Sequence, residues 1–159
     1  MSQASSGALT VTTPSDREIV LTRVFDAPRE LVFRAHSACE HIRRWWGRGN
    51  PLDCEMDFRP GGTYRYVEHD PDGNDYAFRG EYREIVAPER IVRTFEYEGM
   101  PGHVSVETLV LTEDDGKTTL TTTALFESVE DRDGMLNSGM EAGAKQSLDH
   151  LAEFLATMT

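Results

Sequence analysis

The chain holds two cysteines, no apolar run of membrane-spanning length, and few bases for its acids. Each shortage excludes something. A bilayer-crossing helix needs about 20 mostly apolar residues in a row, and no stretch supplies them. Sixteen Lys and Arg face 28 Asp and Glu, for a formal net charge of -12. Such a surface repels phosphate backbones on average, so no nucleic-acid partner is expected. Bases gather only at Arg43, Arg44 and Arg48, where a helix end accommodates them as solvated groups or dipole complements. Cys39 and Cys54 form no Cys-x-x-Cys pair and sit in different elements, so both are expected to be free thiols. Residues 1–15 have neither a basic start nor an apolar stretch, so no secretory signal is expected. These readings place the chain in the cytoplasm, with residues 1–17 as a flexible tail and 18–159 as one domain.

Signatures of chemistry are also missing. There is no Gly-x-Ser-x-Gly elbow, no glycine-rich phosphate loop and no His-Glu-x-x-His. No catalytic residue and no cofactor is assigned. His36, Cys39, His41 and Cys54 fit no zinc spacing. The turn Asp70–Asp75 with Glu81 spaces acids like a calcium loop, but Asp75 stands where that loop needs glycine. No metal is assigned.

What the chain does have is one long closing helix. Met140, Ala144, Leu148, Leu151 and Leu155 recur at helical spacing, which predicts a helix from roughly Gly139 to Thr157. Ser128 with Asp131 predicts a shorter helix start before it. From Leu52 to Phe126 the pattern is that of strands joined by turns too short for parallel crossovers. Glu18–Phe25 predicts a first strand. Two short helices follow it, the first capped by Asp26 with Pro28 in its first turn. Ser37 and Glu40 are spaced as a capping box for the second, which Gly47 ends. The expectation is an α+β domain whose antiparallel sheet, of about seven strands, curls around the last helix. A sheet gripping one helix tends to leave a hollow, and a hollow implies a ligand.

Several segments carry a family likeness. They are Phe25-Asp-Ala-Pro-Arg-Glu-Leu-Val-Phe, Glu40-His-Ile-Arg-Arg-Trp-Trp-Gly, Asp57-Phe-Arg-Pro-Gly-Gly, and Gly139-Met-Glu-Ala-Gly with Ser147-Leu-Asp-His-Leu. Together they resemble the SRPBCC superfamily, the START and birch-pollen-allergen-like proteins. The branch they match best is named for the activator of the heat-shock-protein-90 ATPase. The resemblance spans residues 18 to 157 and implies the helix-grip fold. It implies functions as varied as lipid carriage, hormone reception and cyclisation.

Strand parity turns Trp45, Tyr64, Tyr66 and Phe78 toward the expected hollow, together with Tyr82, Phe95 and Tyr97. Met140 and Leu148 face them from the helix. Tyrosines suit such a lining, each offering a flat ring and one hydroxyl. Glu68 shares the face of Tyr64 and Tyr66. It is read as a wet residue at the strand's open end, or as a polar anchor if Arg79 or Arg93 pairs with it. The leading expectation is a binding protein for a hydrophobic or aromatic small molecule of lipid, polyketide or phenolic type. The alternatives are a co-chaperone-like module contacting a chaperone or other protein, and a cyclase or hydrolase acting in the same hollow. The chain is expected as a monomer or homodimer, with a free edge near Glu18–Phe25 or the last hairpin available for pairing.

Overall fold

The computed structural model describes residues 8–158. Within them, eight strands form one antiparallel sheet: β1 (Thr10–Thr12), β2 (Glu18–Phe25), β3 (Leu52–Met56), β4 (Thr63–His69), β5 (Asp75–Val86), β6 (Arg90–Tyr97), β7 (Val104–Asp114) and β8 (Lys117–Leu125). The four helices are α1 (Arg29–Ala35), α2 (Cys39–Trp45), α3 (Val129–Leu136) and α4 (Met140–Leu155). The strand order is β1-β2-β8-β7-β6-β5-β4-β3. The two short helices separate β2 from β3, and α4 docks against both. This is the expected helix-grip arrangement.

The sheet differs from expectation at its edge. Thr10–Thr12, inside the stretch read as a tail, pairs with β2 through Thr10↔Thr22, Val11↔Leu21 and Thr12↔Val20. Its β-branched residues favour extended backbone, and it satisfies polar groups that β2 would otherwise leave open. Glu18–Phe25 is therefore not a free edge, and the hairpin of β7 and β8 is interior as well. The sheet ends at β1 and β3 instead.

Two caps also differ. The first helix has Pro28 at its N-cap, without a capping side chain from Asp26. The second starts after Ala38, also uncapped, because the Ser37 hydroxyl donates instead to Arg34 O at 2.8 Å. The Ser128 cap is present: its hydroxyl accepts from the Asp131 amide at 3.0 Å.

Cys39 and Cys54 are joined in a disulfide, with their Cα atoms 5.6 Å apart. The free-thiol expectation is corrected. Membership of different elements does not keep cysteines apart when those elements pack together, and α2 lies on β3. The cytoplasmic expectation loses the support it drew from free thiols.

Burial alternates with period two where the sheet meets the core. In β4, Tyr64, Tyr66 and Glu68 are buried while Thr63 and Arg65 are exposed. The core joins these inward residues to Val32 and Ile42 of the short helices and to Leu151, Phe154 and Leu155 of α4. Only the second half of α4 is deeply buried. Met140, Ala144 and Leu148 are half-buried, so the stripe predicted to seal the hollow leaves its first turns partly open. No helix among the described residues is long and apolar enough to cross a membrane.

Candidate functional site

The inner, concave face of the sheet is laid out by strand register, since residues paired across strands share a face. One row reads Cys54, Tyr66, Phe78, Tyr97 across β3 to β6. A second reads Met56, Tyr64, Gly80. A third crosses the sheet through Ile19, Ala124, Glu107, Arg93 and Tyr82. The face therefore combines an aromatic cluster with one charged pair.

The rings form a continuous network. Tyr64 lies 5.0 Å from Tyr66 and 5.2 Å from Tyr82, centroid to centroid. Phe58 meets Tyr82 edge-on at 5.1 Å. Trp46 stands edge-on to Tyr66 at 4.9 Å and to Phe78 at 5.2 Å. Phe78 continues to Phe95 at 5.6 Å and to Tyr97 at 5.3 Å. Such tilted and edge-to-face pairs suit the ring quadrupoles.

Two sequence motifs hold this network in place. Across the Asp57-x-Arg-x-Gly-Gly turn, Arg59 Nε donates to Asp57 Oδ2 at 2.8 Å. The Gly61 amide donates to Tyr82 O at 2.7 Å, and the Tyr82 amide to Gly62 O at 2.8 Å. A Cβ at Gly62 would collide with Asp57 O. The turn thus clamps Tyr82. At Gly80, a Cβ would run into Thr94 O and the Tyr64 ring. Its absence lets the Tyr64 hydroxyl donate to Thr94 O at 2.5 Å. The close approach is thus at Gly80, whereas the register shift of this strand pair falls between Tyr82 and Glu84.

The electrostatics centre on Arg93. Its side chain is 9% exposed, and its Nε donates to Glu107 Oε1 at 2.9 Å. Its guanidinium lies 5.3 Å from the Tyr64 ring centroid. Burial opposes the Arg93 charge, yet Glu107 holds its pKa well above the ordinary value. Burial also raises the Tyr64, Tyr66 and Tyr82 hydroxyls, so all three stay protonated at neutral pH. The Tyr66 and Tyr82 hydroxyls are near enough to influence one another, but neither makes a hydrogen bond of sound geometry. Beneath them, His36 Nδ1 bonds Val32 O at 2.8 Å. Burial pushes its pKa down to about 4.

Of the residues predicted for the site, Tyr64, Tyr66, Phe78, Tyr82, Phe95 and Tyr97 are brought together. Trp45 is not. It is buried between the short helices, its Nε1 donating to Ala35 O at 2.9 Å and its ring edge-on to His36. Trp46 takes the place expected of it. Leu148 packs against the core, while Met140 stays half-buried at the start of α4. Glu68 is not wet: it is 2% exposed. Its partners are Asn50 Nδ2 at 2.6 Å and Arg48 Nε at 3.4 Å, rather than Arg79 or Arg93. Arg79 instead bonds Glu96 at 3.1 Å. Sequence reasoning did not select Trp46 or Glu107, and it named Arg93 only as a possible partner of Glu68. Arg93 shares the parity of Ile91, Phe95 and Tyr97, and that signal was enough to place it inside.

The centre of the space expected to be hollow is filled, since Tyr66 and Tyr82 are 0% exposed. The flank is open. Phe78, Phe95, Tyr97 and Ala124 face inward by register and are only half-buried. Two solvent-open concavities do not include these four residues. One, of about 620 Å³, is bounded by Arg29, Glu30, Pro88 and Thr112–Asp115. The other, of about 600 Å³, is lined by Glu55, Arg65, Arg79 and Glu96 together with Met56, Tyr64 and Gly80.

Comparison with known proteins agrees with the fold. A Rhodobacter sphaeroides protein of solved structure is similar at 25% identity and a TM-score of 0.86, over 95% of this chain and 100% of that one. A Mycobacterium smegmatis protein is 26% identical with a TM-score of 0.82, covering 94% and 99%. A Chromobacterium violaceum protein is 28% identical with a TM-score of 0.71, covering 86% and 95%. No curated protein matches the chain. The family model described as Activator of Hsp90 ATPase homolog 1-like protein matches residues 26–156. The chain belongs to that family.

Proposed function

We propose that this protein binds a hydrophobic or aromatic small molecule on the concave face of the sheet, beside the first turns of α4. The observation that carries the reading is a set of inward-facing rings, Phe78, Phe95 and Tyr97, that no helix fully covers. Aromatic side chains left half-open on a concave surface gain free energy when an apolar ligand displaces water from them. Polar groups at the inner end would orient that ligand. Thermal unfolding with a panel of lipids, polyketides and phenolics tests it. A ligand at a hundred times its dissociation constant adds about 2.7 kcal/mol, a rise of roughly five to ten degrees for a domain of this size. A panel without a single shift sinks the reading.

A second reading follows from the family, whose description names an activator of the Hsp90 ATPase. On that reading the chain contacts a chaperone. Stimulation of a purified chaperone's ATPase by the protein supports it, and an unchanged rate with no co-purification removes it.

A further inference from the structure

Two hydroxyls on the concave face lack partners. Tyr66 and Tyr82 are 0% exposed, and their hydroxyls, close to one another and in Tyr82's case to Arg93, make no hydrogen bond of sound geometry. Tyr64, between them in the ring network, is satisfied by Thr94 O. Arg23 Nε, on β2, is also buried without a partner, but within the ring network the deficit is confined to these two hydroxyls. Buried hydroxyls without partners are uncommon and destabilising. Beside them lies Arg93, already engaged by Glu107.

We infer that this face recognises its ligand through a neutral carbonyl oxygen on an aromatic ring system, which accepts hydrogen bonds from the Tyr66 and Tyr82 hydroxyls. The inference rests on the small-molecule reading above and specifies its ligand class. The charge pattern selects the group. Arg93 and Glu107 cancel, so a ligand carboxylate would gain the guanidinium only by meeting the Glu107 carboxylate. An ammonium would meet Arg93. What the site offers unspent is two protonated phenols, and phenols donate to an uncharged acceptor without a charge to compensate.

The walls select the remainder. Trp46 and Phe78 present their rings to each other at 5.2 Å, with Trp46 4.9 Å from Tyr66. Trp46 is half-buried and follows the last residue of α2, where the backbone turns extended. It covers Tyr66 from the solvent side. A flat ligand ring replaces the Trp46 ring over Tyr66 and carries its carbonyl to the hydroxyls beneath.

Equilibrium dialysis of three probes with the full chain tests this: 2-acetylnaphthalene, naphthalene and 2-naphthoate. The acetyl compound is expected to bind about tenfold more tightly than naphthalene, in line with one or two net hydrogen bonds, and more tightly than the naphthoate. In Tyr66→Phe/Tyr82→Phe the ratio of acetylnaphthalene to naphthalene affinity is expected to fall to about one. Each single Phe variant should lower it part way, which keeps the test decisive if the double variant does not fold. Tyr64→Phe, which removes a hydroxyl already in use, should leave the ratio in place. Equal binding of naphthalene and the acetyl compound, or preference for the naphthoate, overturns the carbonyl anchor while the small-molecule reading stands. Failure of all three probes to bind overturns the carbonyl anchor, and the small-molecule reading falls with it only if the thermal panel of lipids, polyketides and phenolics also gives no shift.

Discussion

Acid should loosen this fold in part through a buried side chain, His36. The imidazole is 3% exposed, held between the short helices by its bond to Val32 O and its contact with Trp45. Burial, with a smaller contribution from Arg93, lowers its pKa from 6.5 to about 4. The unfolded chain therefore takes up a proton at this residue near pH 6.5, whereas the folded chain resists until about pH 4. Between those values the unfolded state binds more protons, so stability falls as pH falls. At about 1.4 kcal/mol per pH unit the loss is about 3 kcal/mol, complete below pH 4. His69 works in the opposite sense. Hydrogen bonds to Asp53 and Asp75 raise its pKa, so its contribution is present at low pH and is lost as pH rises through the raised value. The assay is urea unfolding of wild type and His36→Gln from pH 7 to pH 4, with the difference cancelling His69 and the carboxylates. Wild type should lose about 3 kcal/mol more than the variant across that range. Parallel slopes for the two proteins, or a His36 NMR titration centred near pH 6.5, would refute the reasoning.

The disulfide gives a second expectation. Cys39 and Cys54 are 15 residues apart in sequence, and closing a loop of that size contributes about 3 kcal/mol. Cys39→Ser/Cys54→Ser should melt lower by roughly that amount, and reductant should lower the wild type but not the variant; equal melting with and without reductant contradicts the pairing. The buried ion pair gives a third. Arg93→Met leaves Glu107 desolvated without its partner and should cost about 3–5 kcal/mol, measured by denaturant unfolding. Arg93→Met/Glu107→Leu should recover most of that loss, and a double variant as unstable as the single one contradicts the account.

The sequence shows the inner face of β4 plainly because its side chains alternate without interruption, with Tyr64, Tyr66 and Glu68 in one phase. Its period also shows α4, whose Leu148, Leu151 and Leu155 do reach the core. Where sequence reasoning failed, the deciding contact lay far along the chain. Glu68 is dry because the loop after α2 brings Asn50 and Arg48 to it. The cysteines meet because α2 rests on β3. The strand Thr10–Thr12 is too short to show a period and exists because β2 offers it partners.

The tryptophans show why the site was harder to read than the fold. Helical geometry places Trp45 inward, and it is inward, but against Ala35 and His36. Trp46 lies one residue past the helix, with ψ at 136°, and helical spacing no longer predicts its direction. Gly47 follows with φ at +94°, a conformation that favours glycine, and its amide donates to Ser147 Oγ on α4 at 3.0 Å. That bond ties the segment after α2 to the closing helix and holds Trp46 over Tyr66. The Trp-Trp-Gly motif thus divides its work: the first ring packs the helices, the second covers the aromatic face, and the glycine makes the turn between them and α4. A change at Gly47 should therefore disturb ligand access more than the core, because the residue it misplaces is Trp46 and not Trp45.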